Sequence, residues 1–185
     1  GGPDSKIILV SNGGDVTMFN PLATGEETRT RLGWGKRYVA LYSGAHGMAN
    51  DLDTLLAAAE KLQDCPEVLL VLLGDGPEKS RLQVHAREMG LSNVQFLDPV
   101  SKAEMPALIA ASNACIAHLK PSKMQAMVYP NKVFDYMAAA RPTILGIGGV
   151  IQEVLEKAEG GICVDPGDAV GLAAAIRHLT QTKEE

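Results

Sequence analysis

The chain has 185 residues and a formal net charge of −5, from 17 Lys and Arg against 22 Asp and Glu. That length fits one domain, or one domain with a connector, and 46% hydrophobic with 21% charged residues excludes a disordered or collagen-like chain. The acidic balance removes the bulk positive charge that non-specific nucleic-acid binding requires. Cys65, Cys115 and Cys163 are scattered with no CxxC, which argues against a disulfide framework or zinc knuckle and for reduced thiols in a cytoplasmic fold. No apolar run reaches the length of a membrane span, and Gly1-Gly2-Pro3 is no signal peptide. The missing initiator Met leads us to expect a fragment boundary there.

In chain order, Ile7 to Val10 reads as a strand and Ser11 to Asp15 as a turn. The polar, Gly-containing stretch from Asn20 to Lys36 reads as a connector with a short helix over Glu26 to Leu32. Residues 1–35 are therefore read as a junction strand and connector, and 36–185 as the main domain. From there strand-like runs recur at Tyr38 to Ser43, Val68 to Leu73, Val94 to Leu97, Ala114 to His118, Thr143 to Gly146 and Gly161 to Val164. Most are continuously apolar, the mark of strands buried on both faces of a parallel sheet. Helical patterns fall between them. Asp51 to Gln63 spaces Leu52, Leu55, Leu56 and Ala59 on one face, and Glu78 to Met89 stops at Gly90. Ser101 with Glu104 forms a capping-box pattern opening a helix to Ala111. Lys132 to Ala140 is stopped by Arg141-Pro142, and Ile151 to Ala158 and Asp168 to Thr180 complete the set. The expected fold is an open, doubly wound α/β parallel sheet, with ligands beyond the carboxyl ends of its strands.

Four segments carry candidate chemistry. Gly74-Asp75-Gly76 lies between strand and helix like a dinucleotide fingerprint, but Lys79 stands where the third glycine belongs. A tight turn into Pro77, or a pocket wall, explains it instead. Ser43 to Gly47 is a glycine loop before a helix, whose free N–H groups suit an anion. There His46 either donates to a phosphate or an acceptor hydroxyl, or faces solvent. Leu119 to Met137 is the richest part. Asn131 and Asp135, four apart, share one helix face. A carboxylate one turn inside such a helix can accept from a sugar diol, while the amino end holds a diphosphate. Lys120, Lys123 or Lys132 could add charge to that phosphate or be solvated surface cations; we favour the latter for Lys123. Met124 and Met127 read as loop packing. Gly146 to Gly149 admits either a close ligand or a plain turn.

Taken in order, these stretches resemble the C-terminal domain of a GT-B glycosyltransferase of the large retaining family 4. The likeness rests on Ile8 to Asp15 with Phe19-Asn20-Pro21; Tyr42-Ser43-Gly44 with Leu52 to Ala59; Leu73 to Pro77; Asn93 to Leu97; Pro130-Asn131-Lys132 into Tyr136 to Ala139; and Gly160 to Val164. It implies a Rossmann-like three-layer domain of strand order 3-2-1-4-5-6. It also implies a nucleotide-diphosphate sugar donor, UDP-linked in preference, held against an N-terminal domain without a metal or further cofactor. By the same likeness the loop from Leu97 to Val100 lies against the base and Asp135 holds the ribose. The helix beginning at Asn131 faces the diphosphate, Gly44, His46 and Gly47 line it, and Lys120 and Lys132 supply charge. His46 is the one candidate for a catalytic side chain.

The family's paired glutamates would fall on Met127 and Asp135, and its diphosphate-binding Arg and Lys on Ala45 and Asn50, so this chain departs at each of those positions. Its Pro-Asn-Lys-x-Phe-Asp stretch resembles the N-acetylfucosaminyl transferase branch of bacterial surface polysaccharide assembly. That implies a lipid-linked acceptor at the inner membrane, and a fragment that binds nucleotide weakly and transfers no sugar alone. Two alternatives are an NAD-dependent oxidoreductase or nucleotide-sugar epimerase domain, and a non-catalytic nucleotide-binding or signalling module with Asp75 at a strand end.

Overall fold

The computed structural model describes residues 13–122 and 127–182. Within them the chain forms α1 (Glu26–Arg31), β1 (Tyr38–Ser43), α2 (Leu52–Glu60), β2 (Val68–Leu73), α3 (Lys79–Glu88), β3 (Val94–Leu97), α4 (Met105–Ala111), β4 (Ala114–His118), α5 (Asn131–Ala138), β5 (Thr143–Gly146), α6 (Val150–Lys157), β6 (Gly161–Cys163) and α7 (Ala169–Gln181). The sheet runs β3-β2-β1-β4-β5-β6, and every neighbouring pair is parallel. Sheet order and alternation are thus those expected of the doubly wound fold.

The alternation of side chains along each strand builds two cores. Val39, Leu41, Leu69, Val71, Cys115 and Leu145 point to one face, against Leu108 and Ile109 of α4, Val133 and Tyr136 of α5, and Ile151 and Leu155 of α6. Ala40, Tyr42, Leu70, Leu72, Ile116 and Ile144 point to the other, against Leu55 and Leu56 of α2, Leu82 of α3 and Leu172 and Ile176 of α7. β1 and β2 are buried along their whole length because both layers cover them, and truncating one of these leucines to alanine costs about 2–5 kcal/mol. β3, at the edge, is only half-buried, and accordingly carries Gln95, whose Oε1 accepts from Trp34 Nε1 at 2.7 Å.

The connector between residues 13 and 37 is packed rather than free. Phe19 and Trp34 are buried in the first core. Arg29 binds Gly35 O at 3.1 Å and Asn113 Oδ1 at 3.3 Å, and also donates to Ala111 O and Arg37 O, so it caps the carboxyl end of α4 with charge of the favourable sign. The strand expected over Ile7 to Val10 lies outside the described residues, as do Lys123 and Met124.

Some boundaries differ from expectation for local reasons. Ser101 N and Oγ both donate to Glu104 Oε2, at 3.0 and 2.7 Å, so the glutamate half of the expected capping box forms while the serine side chain caps no N–H, and α4 begins at Met105. α5 is ended not by Pro142 but by Ala140, which takes φ 50° while Ala140 N and Arg141 N donate to Met137 O and Tyr136 O at 2.9 and 3.0 Å. At α7 the Asp168 side chain accepts from Val170 N and Gly171 N at 3.0 and 2.9 Å, a full N-cap. Among the described residues, no helix is long and apolar enough to cross a membrane.

Candidate functional site

A cavity of about 490 Å³ opens at the carboxyl ends of the strands. It is lined from β1 by Ser43, Gly44 and Ala45, from β2 by Leu73, Gly74 and Asp75, from beyond β3 by Pro99, Val100 and Met105, and from α5 by Lys132. Larger hollows of about 590 and 840 Å³ lie at the amino ends of the strands, beside Pro142 and Gly161 and beside Lys36 and Asn113. Ligands of open parallel sheets bind at the carboxyl end, where loops diverge and helix amino ends converge.

The cavity wall is stitched from backbone. Gly44 N donates to Leu73 O at 3.0 Å, Gly74 N to Leu97 O at 3.1 Å, His46 N to Asp75 O at 2.8 Å and Glu78 N to His46 O at 2.9 Å. The loops after β1 and β2 therefore lie flush. A Cβ on Gly74 would overlap Gly44 O, and its φ of 144° also favours glycine. Close packing of two loops, rather than a dinucleotide phosphate, accounts for this glycine. Beneath them Lys79 donates from Nζ to Gly74 O at 2.8 Å, Leu97 O at 3.2 Å and Asp98 Oδ1 at 2.6 Å. Its importance is visible in the spacing: Lys79, Leu82 and Ala86 form one buried helical stripe.

Of the residues singled out from the sequence, Gly44, Val100 and Lys132 line the cavity together. Lys132 Nζ lies 4.5 Å from the centre of the Tyr42 ring, a cation–π contact. No carboxylate pairs with it among the described residues, and burial brings its pKa down to about 8. Tyr42 itself is anchored by donating to Ala45 O at 2.9 Å, and Ser43 Oγ and Tyr136 OH share a buried hydrogen bond of 2.7 Å. Asn131 is exposed at the first turn of α5 and Asp135 is half-buried one turn on. Burial raises the Asp135 pKa, with Lys102 opposing and Asp15 reinforcing that shift. Gly47 sits before the 3-10 turn Met48–Asn50, and a Cβ on it would meet Asn50 Oδ1 at an ordinary contact distance of 3.7 Å.

Four placements correct the sequence reading. His46 is fully buried, its ring 6.3 Å from Tyr42 and 6.1 Å from Phe96, and neither ring nitrogen has a hydrogen-bond partner among the described residues. The ring therefore reaches neither solvent nor the cavity, and its loop offers a ligand backbone alone. Burial, then the Lys79 charge, lower its pKa against the pull of Asp75, which favours the neutral ring. Lys120 is exposed and does not line the cavity; its N–H is spent on Ala49 O at 2.8 Å. Leu97 does not line the cavity: its carbonyl accepts from Gly74 N and Lys79 Nζ while its side chain packs on the core. Met127, read as loop packing, is instead 85% exposed, with Val128 and Tyr129 exposed beside it. Gly148 opens onto a separate hollow of about 330 Å³ lined also by Gln152, Asp165 and Asp168.

Comparison with known proteins places this architecture. The chain is 27% identical over 179 residues to WcaI of Escherichia coli, a glycosyl transferase named for colanic acid biosynthesis, covering 94% of this chain and 44% of that protein. It superposes on HepE of Anabaena, solved in complex with UDP-glucose, with a TM-score of 0.83 at 20% identity, over 100% of this chain and 50% of HepE. It matches the C-terminal domain of the group 1 glycosyl transferase LpcC from Francisella tularensis with a TM-score of 0.71 at 18% identity, covering 94% of this chain and 99% of that domain. The chain thus spans less than half the length of WcaI and corresponds in fold to one half of a GT-B enzyme. The family described as "Glycosyl transferases group 1" matches residues 37–182, and the chain belongs to it.

Proposed function

We propose that this chain is the donor-binding half of a glycosyltransferase that uses a nucleotide-diphosphate sugar, UDP-linked in preference. The observation that carries this reading is Lys132: a half-buried ammonium without a carboxylate partner among the described residues, at the amino end of α5 and the carboxyl end of the sheet. Such a group suits an incoming polyanion, since it is already desolvated and unpaired. The reading is supported by the UDP-glucose complex of HepE, whose fold this chain shares.

In this reading the base lies by Val100 and the Leu97 backbone and the ribose hydroxyls meet Asp135. The diphosphate rests on the Gly44–Gly47 backbone, the first turn of α5 with Asn131, and Lys132. As the sugar leaves, charge on the departing diphosphate is stabilised by that ammonium and by the free N–H groups of α5. An N-terminal domain of the same protein supplies the acceptor side, for a lipid-linked acceptor at the cytoplasmic face of the inner membrane, in surface polysaccharide or glycolipid synthesis with retention. This half alone transfers no sugar. The Lys79 ammonium filling the floor of the Gly74 turn argues against the NAD-dependent alternative.

The test is calorimetric titration of the folded chain with UDP, UDP-glucose, GDP and GDP-mannose. Binding of the uridine pair, weakened at least about tenfold by Lys132→Met, is expected. A folded chain that binds none of the four overturns the donor reading.

A further inference from the structure

His118 ends β4 and is 1% exposed, so its ring touches neither cavity nor solvent. Its two nitrogens nonetheless join two loops that the sequence keeps far apart. Nδ1 lies 3.2 Å from Asn50 O, at the end of the loop that begins at Gly44, and Nε2 lies 3.1 Å from Gly167 N, between β6 and α7. A carbonyl only accepts and a backbone N–H only donates. The hydrogen therefore sits on Nδ1 and the lone pair on Nε2.

The surroundings hold the ring in that form. Burial disfavours its charged state, against the opposing pull of the Asn50 carbonyl and the Asp51 carboxylate. β5 presents Gly146, where a Cβ would overlap the ring at Cδ2. The far loop presents Gly167, packed on Pro121, while Asp168 turns its carboxylate to Val170 and Gly171 N–H. Beside Asn50, Lys120 N donates to Ala49 O at 2.8 Å, so β4 and its extension hold the Gly44–Asn50 loop at two adjacent points.

We propose that His118 is a positioning residue: as the neutral Nδ1–H tautomer it pins the Gly44–Asn50 loop and the Gly167 loop to the end of β4, and thereby sets the backbone that the donor diphosphate meets. The second half of this statement rests on the donor reading above; the pin itself does not. Protonation would set Nε2–H against the Gly167 N–H, two donors facing each other, so the pin releases when the ring is charged.

Long-range proton–nitrogen spectra of the ring, amide hydrogen exchange, and UDP-glucose titration together test it. UDP-glucose is chosen because its diphosphate is esterified at both ends and lacks the second phosphate ionisation near neutrality. At about pH 7 the spectra should show a neutral Nδ1–H ring and a protected Gly167 amide. His118→Phe, which fills the volume without either hydrogen bond, should expose Gly167 to exchange and weaken UDP-glucose about tenfold. His118→Gln, whose amide oxygen can still accept from Gly167, should restore protection and part of the affinity. Wild-type affinity should fall as the ring protonates, and the Gln variant should lose that component of the pH profile. An Nε2–H tautomer, or a His118→Phe protein with wild-type exchange, affinity and pH profile, overturns the proposal. Should His118→Phe not fold, the wild-type profile and His118→Gln decide. A wild-type chain that shows the tautomer and the protected amide yet binds no nucleotide sugar overturns the donor reading and leaves the pin standing.

Discussion

The ammonium of Lys132 stands 4.5 Å from the centre of the Tyr42 ring, held there by an aromatic face instead of a carboxylate. Burial lowers its pKa to about 8 in the folded chain, against about 10.4 when unfolded. Between those values the unfolded chain binds more protons, so this group's contribution to stability rises with pH across that window and is lowest below about pH 8, where a charged amine is buried. Donor binding should run the other way. A diphosphate favours the charged amine, so on the alkaline side of the His118 titration UDP-glucose affinity should be greatest below about pH 8 and fall towards tenfold per pH unit above it. Lys132→Met should weaken binding without lowering the melting temperature at neutral pH. Titrations and thermal melts across this range check both signs. A variant that loses stability and keeps its affinity would refute the argument.

Gly44 and Gly74 should fail differently when changed to alanine. A Cβ on Gly74 would strike the Gly44 backbone, which cannot move aside, at φ 144°. Gly74→Ala should cost about 2–5 kcal/mol, combining overpacking with backbone strain. Gly44, at φ 150°, also strains an alanine, but its Cβ would meet no backbone, only the Lys132 ammonium, the far end of a flexible side chain, and the Tyr42 hydroxyl at 3.2 Å. Gly44→Ala should therefore be the milder lesion for folding, yet move the ammonium and weaken UDP-glucose. Urea denaturation and calorimetry on the two variants separate the effects. Equal losses of stability would contradict the assignment.

Much of this was legible in the sequence, and the exceptions share a cause. The six strands followed from apolar runs such as Val68 to Leu73, whose meaning depends only on burial, and their order from the family resemblance. Gly44, Val100 and Lys132 converge because the fold sends the ends of β1 and β3 and the start of α5 to one edge. His46 was misplaced because sequence gives the residue's position on a loop but not the direction of its ring, which Tyr42 and Phe96 set. Arg29 went unread because its partners include a backbone carbonyl 82 residues away, a group every residue carries and no motif marks, and Lys79 was read only as a missing glycine although its helical spacing with Leu82 and Ala86 marks it as buried. The stop at Ala140 was missed because a left-handed alanine has no signature of the kind glycine leaves.

Lys79 and Asp98 form a pair whose two members should matter unequally. The lysine side chain is 11% exposed and the aspartate 93%. Removing the ammonium also deprives the carbonyls of Gly74 and Leu97 of a donor. Lys79→Met should cost about 1–3 kcal/mol for the carbonyls left behind, whereas Asp98→Ala, at the solvent end, should change stability little. Chemical denaturation of both variants and the double variant checks this. If the aspartate variant proved as damaging as the lysine one, the ion pair rather than the carbonyl bonds would be the stabilising element.

Two buried histidines should give the chain an acid limit. Burial lowers the pKa of both His46 and His118 from the ordinary value of 6.5. A histidine whose folded pKa is depressed contributes its stability in full above the unfolded pKa, and loses it as pH falls from there through the folded pKa. Melting temperature should therefore hold through neutral pH and fall below about pH 6.5. The residues differ in what replaces them. His118 uses both nitrogens, so an apolar substitute strands Asn50 O and Gly167 N. His46 uses neither among the described residues and sits between aromatic rings. His46→Phe should therefore leave stability at neutral pH equal or raised and make the acid decline shallower, while His118→Phe should lower stability throughout. Thermal melts of the two variants from acid to neutral pH check the contrast. A marked loss for His46→Phe at neutral pH would mean that its ring nitrogens do bind something, and would return His46 to the candidate site.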